Sequence, residues 1–199
     1  MSGCGCEVTI TDRDQQQALI PLLAINGIMF VLEVGVGWYA QSTSLIADAM
    51  DMLADALVYG VALYAVGRPM IVKIRAAALS GGLQVALALL VFADILRRYF
   101  LGSEPLSLLM MGMGLLALGA NVVCLLLIAR HREGEVHMRA SWIFSRNDVI
   151  ANLGVILAGA AVAWTGSRLP DLVIGSLVAL VVLRGGLHIL REARDTPHP

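Results

Sequence analysis

Charge is what this sequence has least of. Only 15% of its 199 residues are charged, against 58% hydrophobic, and the mean hydropathy is +0.80. Soluble domains carry about 25% charged residues, so lipid rather than water is the solvent expected for most of the chain. Positive charge is not in excess either: the formal net charge is -1. No basic stripe is present to meet a phosphate backbone, and a nucleic-acid partner is not expected. Cysteine is sparse. Cys4 and Cys6 lie too close together for an easy disulfide, and Cys124 sits in an apolar run as a small buried hydrophobe. An oxidised, stapled scaffold is therefore not expected. The N-terminus lacks the basic region and cleavage site of a removable signal peptide, so the first apolar helix should serve as the insertion signal. Low-complexity segments and internal repeats are lacking, and after Arg191 only a short polar tail follows, so no C-terminal domain is expected.

What is present is a set of six apolar runs, over residues 18–40, 45–67, 76–97, 106–129, 140–165 and 169–190. Each is close to or above the ~20 residues a tilted helix needs to cross the hydrocarbon core. The polar turns between them are too short to hold a soluble domain. Arg68, Lys73, Arg75, Arg130, Arg132, Arg139, Arg191 and Arg194 gather on one side of the runs, while Arg97, Arg98 and Arg168 lie on the other. The basic excess marks the cytoplasm. The expectation is an all-α membrane protein, a six-transmembrane-helix bundle with both termini cytoplasmic, multi-pass in the cell (inner) membrane. Residues 1–17 form a cytoplasmic tail, 18–192 the transmembrane domain and 193–199 a second short tail. Gly35, Gly37, Gly112, Gly114, Gly154, Gly159, Gly185 and Gly186 suit close helix packing.

The informative residues are acids inside the apolar runs: Glu33, Asp48, Asp51, Asp55, Asp94 and Asp148. A carboxylate at membrane depth costs at least ~2.5 kcal/mol on insertion scales, so each must face a partner, a cavity or an ion. Asp48, Asp51 and Asp55 follow an i, i+3, i+7 pattern that places them on one helix face. Like charges so close repel, so they are not all ionised unless a cation neutralises them. Either some hold protons or a metal binds, and metal binding then releases protons. Phe144, Asp148 and Asn152 likewise share a face of the fifth helix, at i, i+4 and i+8. At ~1.5 Å rise per residue, Asp148 and Asp55 lie at comparable depths from the basic cytoplasmic flank. Asp51, Asp55 and Asp148 can therefore converge on one ion, with Asn152 or water filling out the shell. Asp48, nearer the outer end, can join the ligands, cap its helix or line an exit.

The competing reading of each acid is an ion pair. Arg146 and Arg184 are available, but two basic residues do not neutralise six acids. Glu33 and Asp94 are expected to pair with Arg146 or with polar groups of neighbouring helices, and Arg184 to snorkel. Asn26 and Asn121 should make interhelical hydrogen bonds. Tyr59 continues the acidic face by one turn and can simply pack. Cys4 and Cys6, with Glu7, could capture a soft cation, against a plain disordered tail. His131 and His137 could assist an incoming ion, against plain solvation.

At these residues the sequence resembles the cation diffusion facilitator family. Asn26, Glu33 and Gly37 fit its first helix. The stretch Ser42-Thr43-Ser44-Leu45-Ile46-Ala47-Asp48-Ala49-Met50-Asp51-Met52-Leu53-Ala54-Asp55 is similar to its second-helix signature, in which a His or Asp followed at i+4 by Asp binds metal. Met138 to Asp148 resembles the fifth-helix signature, and Leu169-Pro170-Asp171 fits the start of the sixth. Two departures stand out. The family usually has His or Asp four residues before the fifth-helix Asp, where this chain has Phe144, and it usually has a cytoplasmic C-terminal domain. The resemblance therefore implies a short member: a homodimer in the lipid bilayer that exchanges a cytosolic divalent metal cation for external protons. Zn²⁺ is the cargo the family implies. An all-oxygen set leans toward Mn²⁺ or Fe²⁺, or toward Zn²⁺ completed by water or Asn152, with Co²⁺ and Cd²⁺ as further candidates. No enzymatic activity is expected.

Two alternatives compete. Asp48, Asp51 and Asp55 partly mimic the metal-binding pattern of the CDP-alcohol phosphotransferases, which resembles D-x-x-D-G-x-x-A-R; here Asp51 is followed by Met52 rather than Gly, and no A-R pair stands at the expected place. The other is a non-transporting metal-binding membrane protein that kept the site and lost the cycle.

Overall fold

The computed structural model describes residues 12–65, 68–129 and 136–195, which form six α-helices and, among the described residues, no strand. These are α1 (Asp12–Tyr39), α2 (Thr43–Ala65), α3 (Met70–Leu101), α4 (Ser107–Ala129), α5 (Val136–Thr165) and α6 (Leu169–Asp195). The bundle is the all-helical architecture that the six apolar runs predict. Several helices outrun the apolar stretch that marks them: α1 begins at Asp12 and α6 continues to Asp195. Apolarity ends where lipid ends, but the backbone hydrogen bonds of a helix continue into its polar flank.

Five helices contain a segment long and apolar enough to cross a membrane: Gln17–Tyr39, Ile74–Leu101, Ser107–Ala129, Arg146–Thr165 and Leu169–Asp195. The exception is α2. It is 23 residues long, and any 18-residue stretch of it holds Asp48, Asp51 and Asp55. Its acids set it apart, and the packing explains how they are accommodated. α2 touches all five other helices, with α1, α3 and α6 as its principal neighbours. Leu45 and Met52 join Met29 of α1, Met110, Met113 and Ala117 of α4 and Val155 and Ala158 of α5 in one cluster. Ala47 and Ala54 meet α3 and α6 through Val91, Val178 and Ala179, and through Ala88 and Val182. The helix least suited to lipid is shielded from it by the others. Meanwhile Trp38, Leu90, Leu108, Leu126 and Trp164 are exposed on the bundle's outer surface, where a bilayer would meet them.

Small residues let these helices approach. A Cβ at Gly186 would stand 2.9 Å from the Gly81 carbonyl oxygen and 3.0 Å from the Val85 nitrogen, so α3 and α6 cross with their backbones nearly touching. Gly37, Gly114 and Gly159 are also contact points, whereas Gly35 and Gly112 face open space. Gly81 and Gly175 complete the set. Because backbone atoms and the rigid Gln84 Cβ, rather than the end of a flexible side chain, block position 186, Gly186→Ala must push the helices apart. The expected loss is about 1–3 kcal/mol, read as a lower thermal midpoint in detergent, with Gly112→Ala unchanged.

Candidate metal centre

Two helix faces and one clamp build the site. The clamp is Asp171, fully buried at the start of α6. Its Oδ1 accepts hydrogen bonds from Ser42 Oγ (2.8 Å), Ser44 Oγ (2.6 Å) and the Ser44 N–H (2.9 Å), and its Oδ2 accepts from the Thr43 N–H (2.6 Å). Ser42 Oγ also accepts from the Leu45 N–H at 3.2 Å. The first turn of α2, whose amides have no partner within the helix, is thus satisfied by a carboxylate from another helix, placed where the helix dipole favours negative charge. A Cβ at Gly175, one turn along α6, would meet Thr43 Cγ2 at 2.8 Å. Only glycine lets α6 come close enough for Asp171 to reach. This fixes the position and depth of α2.

From that fixed start, Asp48, Asp51 and Asp55 project in register. Asp48 and Asp55 are buried, at 1% and 3% exposure, while Asp51 is half-buried. Asp148 on α5 is buried at 7%. Its carboxyl lies in hydrogen-bonding contact with those of both Asp51 and Asp55. Two carboxyls make such a contact only with a proton or a cation between them. Tyr59 packs with Leu19, Leu22, Cys124 and Ile128, and its hydroxyl donates to Asp55 Oδ2 at 3.3 Å. Among the described residues, no three His, Cys, Asp or Glu side chains close on a common point; the carboxyls meet in pairs.

Asp48 belongs to a second polar chain. Asn152 Nδ2 donates to Asp48 Oδ2 at 2.6 Å, and Asn152 Oδ1 accepts from Asn121 Nδ2 at 2.9 Å. Asp48 also contacts Glu33 of α1. Glu33 is fully buried, and neither of its carboxylate oxygens has a hydrogen-bond donor among the described residues. The chain Asn121–Asn152–Asp48–Glu33 therefore crosses from α4 through α5 and α2 to α1, and it ends in two adjacent carboxyls.

The sequence expectations divide accordingly. Asp51, Asp55 and Asp148 come together. Asn152 and Asp48 come together as well, but with each other. Glu33 does not reach Arg146, which is exposed, and Asp94 pairs with Arg97 and Arg98 of its own helix. Asn121 makes its interhelical bond. Asn26 bonds the Leu22 carbonyl within its own helix at 2.9 Å and reaches the buried Cys124 Sγ at 3.8 Å. The Asp171 clamp had a sequence signal, the Ser-Thr-Ser cap of α2, but no indication that the acceptor would come from α6. Cys4, Cys6 and His131 lie outside the described residues, as do the side chains of His137 and Phe144.

The family model for the cation efflux transmembrane domain matches residues 19–68 and 72–196. Among curated proteins, the chain is similar to zinc transporter ZitB of Yersinia pestis, 26% identical over 93% of this chain and 64% of that protein. It is also similar to ZitB of Escherichia coli (strain K12), 26% identical over 92% and 62%. A cadmium, cobalt and zinc/H(+)-K(+) antiporter of Bacillus velezensis is 24% identical over 88% and 60%. The chain thus spans a little under two thirds of the length of these relatives. The matched region takes in all six helices and each carboxylate described above, and on that match the chain belongs to the cation efflux (cation diffusion facilitator) family.

Proposed function

We propose that this protein carries a divalent metal cation across the bilayer in exchange for protons, with Asp51, Asp55 and Asp148 as the ligands. One observation carries the reading. Carboxyls from two different helices meet inside a bundle, and among the described residues none of them has a basic partner. Protons and dications are the two guests that relieve such crowding, and they compete for the same oxygens.

Cytosolic metal approaches through the half-buried Asp51 and displaces protons shared among the three carboxyls. The ion removes their mutual repulsion, which lets α2 and α5 draw together and the bundle rearrange. Protons arriving from the opposite face then expel the ion and reset the carrier. Asn152 and Asp48, bonded to one another, border this site; water completes the metal shell. Zn²⁺ is the proposed cargo, in line with the names of the relatives, and Mn²⁺, Fe²⁺, Co²⁺ and Cd²⁺ are the ions to test beside it, since an all-oxygen set suits harder cations. A homodimer in the inner membrane, with both termini cytoplasmic, belongs to the same proposal.

The test is metal-by-metal flux into proteoliposomes under an imposed pH gradient, with internal pH and metal followed by separate dyes. Zn²⁺ movement coupled to opposite proton movement is the expected result. Metal binding without flux would make this a binding protein instead, and headgroup-transferase activity without flux would favour a membrane enzyme.

A further inference from the structure

A second concentration of charge lies at the end of the bundle where the α1–α2 turn meets the α3–α4 connection. There the Leu106 N–H donates to the Ala40 carbonyl at 3.0 Å, pinning the two connections together. Beside them opens a cavity of about 470 Å³, lined by Trp38, Tyr39, Gln41, Arg97, Arg98 and Ser103 among others.

Its charges pair unevenly. Arg97 Nε and Nη2 donate to Asp94 Oδ1 at 2.9 and 2.6 Å, and Arg98 Nε donates to Asp94 Oδ2 at 2.5 Å. One carboxylate thus serves two guanidinium groups. Arg168 stands alongside, its Nη2 donating to the Tyr99 carbonyl at 3.2 Å, and the other acids at this end are exposed Glu104 and the buried Asp171 of the α2 clamp. Asp94 is, among the described residues, the one carboxylate ion-paired with these arginines; the oxygens of Asp171 are committed to the start of α2.

The hydrogen bonds do not balance. Arg98 is 3% exposed, yet neither of its terminal nitrogens has an acceptor among the described residues. Ser103 Oγ is buried and equally without a partner. Guanidinium donors without acceptors and a buried orphan hydroxyl at one cavity call for an anion that brings several acceptor oxygens. The planar fork of arginine matches a phosphate in both respects.

The setting indicates what carries that phosphate. Trp38 and Tyr39 are 72% and 75% exposed at the mouth, and Tyr99 and Phe100, packed edge to face, are exposed on the last turn of α3. Aromatic side chains so placed at helix ends mark the depth of lipid head groups. We propose that this cavity binds the phosphate of an anionic phospholipid head group, held by Arg98 and Arg97 with Ser103 Oγ. On the orientation proposed above, the lipid comes from the outer leaflet.

The test is native mass spectrometry of the full chain in mild detergent, titrated with phosphatidylglycerol, with phosphatidylcholine, and with inorganic phosphate. Retention of phosphatidylglycerol about tenfold better than of phosphatidylcholine is expected: both offer the same phosphate oxygens, but the choline ammonium brings a like charge beside the arginines. Arg97→Gln should lose that preference. Its side chain is half-exposed, so the fold survives even if Arg98→Gln does not. Asp94→Asn removes the competing acceptor and should retain the lipid at least as well as the wild type. Equal retention of both lipids, or an Asp94→Asn variant that loses the lipid while remaining folded, would overturn the proposal. Inorganic phosphate binding as tightly as phosphatidylglycerol would make this a site for the free anion instead.

Discussion

Asp55→Asn and Asp148→Asn are each expected to lower metal-driven proton flux in proteoliposomes by more than about 100-fold, because loss of even a supporting partner of a metal ligand costs 10–100-fold. Asparagine preserves the volume of aspartate and removes its charge, so the bundle should still form. Both side chains are buried, so bulk water does not readily replace the lost carboxylate oxygen. Asp51 differs because it is half-buried. Water reaching it screens the missing charge and can occupy the vacated ligand position, so Asp51→Asn should be milder, at about tenfold. Asp48→Asn should retain metal binding, since the direct contacts of Asp48 are to Asn152 and Glu33 and its charge reaches the other carboxyls only through space. Isothermal titration of Zn²⁺ against the four variants, beside the flux assay, checks the order. Wild-type transport by Asp55→Asn would sink the scheme.

Stability should move the other way. Crowded carboxyls destabilise the metal-free bundle, and replacing one by a neutral amide relieves that. Metal-free Asp55→Asn is therefore expected to melt above the wild type, and added Zn²⁺ to raise the wild type more than the variant. A lesion that merely damaged the fold would lower both flux and melting temperature. The opposed signs distinguish a functional site that stores strain from ordinary packing.

How much of this was legible in the sequence depended on the range of each interaction. The six helices follow from runs of apolar residues, a local property. The shared face of Asp48, Asp51 and Asp55 follows from helical spacing, which is also local. The approach of Asp148 to that face needed two further facts, similar depth and α2–α5 adjacency, of which the sequence supplied only the first. Partners across helices were harder. Depth along a helix is readable from its charged flanks, but rotation about its axis is not. That is why Arg146 looked available to Glu33 and is in fact exposed, and why Asn152 lies on the expected face yet bonds Asp48. Asp94 shows the same limit in reverse: a distant partner was expected, and two arginines three and four residues away were sufficient. Asp171 was the least legible, because an acid in the first turn of a helix ordinarily serves its own helix, and nothing local shows that this one serves another.

Asp171→Ala should cost about 3 kcal/mol or more, the largest stability loss among the substitutions considered. It strands two backbone N–H groups and two hydroxyls in a buried site, including the Thr43 N–H that Asp171 holds at 2.6 Å. Asp171→Asn does not rescue the site, since its amide NH₂ would oppose one set of these donors. Asp171→Glu adds a methylene where Gly175 already brings α6 against Thr43. Ser44→Ala removes one hydroxyl of the set and should cost about 1 kcal/mol. Thermal unfolding in detergent ranks the series. The consequence for transport follows from what the clamp fixes: α2 carries Asp51 and Asp55, and slack at residue 43 shifts both relative to Asp148. Asp171 variants should therefore lose stability and flux together, whereas Asp55→Asn loses flux alone. An Asp171→Ala protein as stable as the wild type would mean that α2 is held by its neighbours' packing and that the carboxylate is incidental to its position.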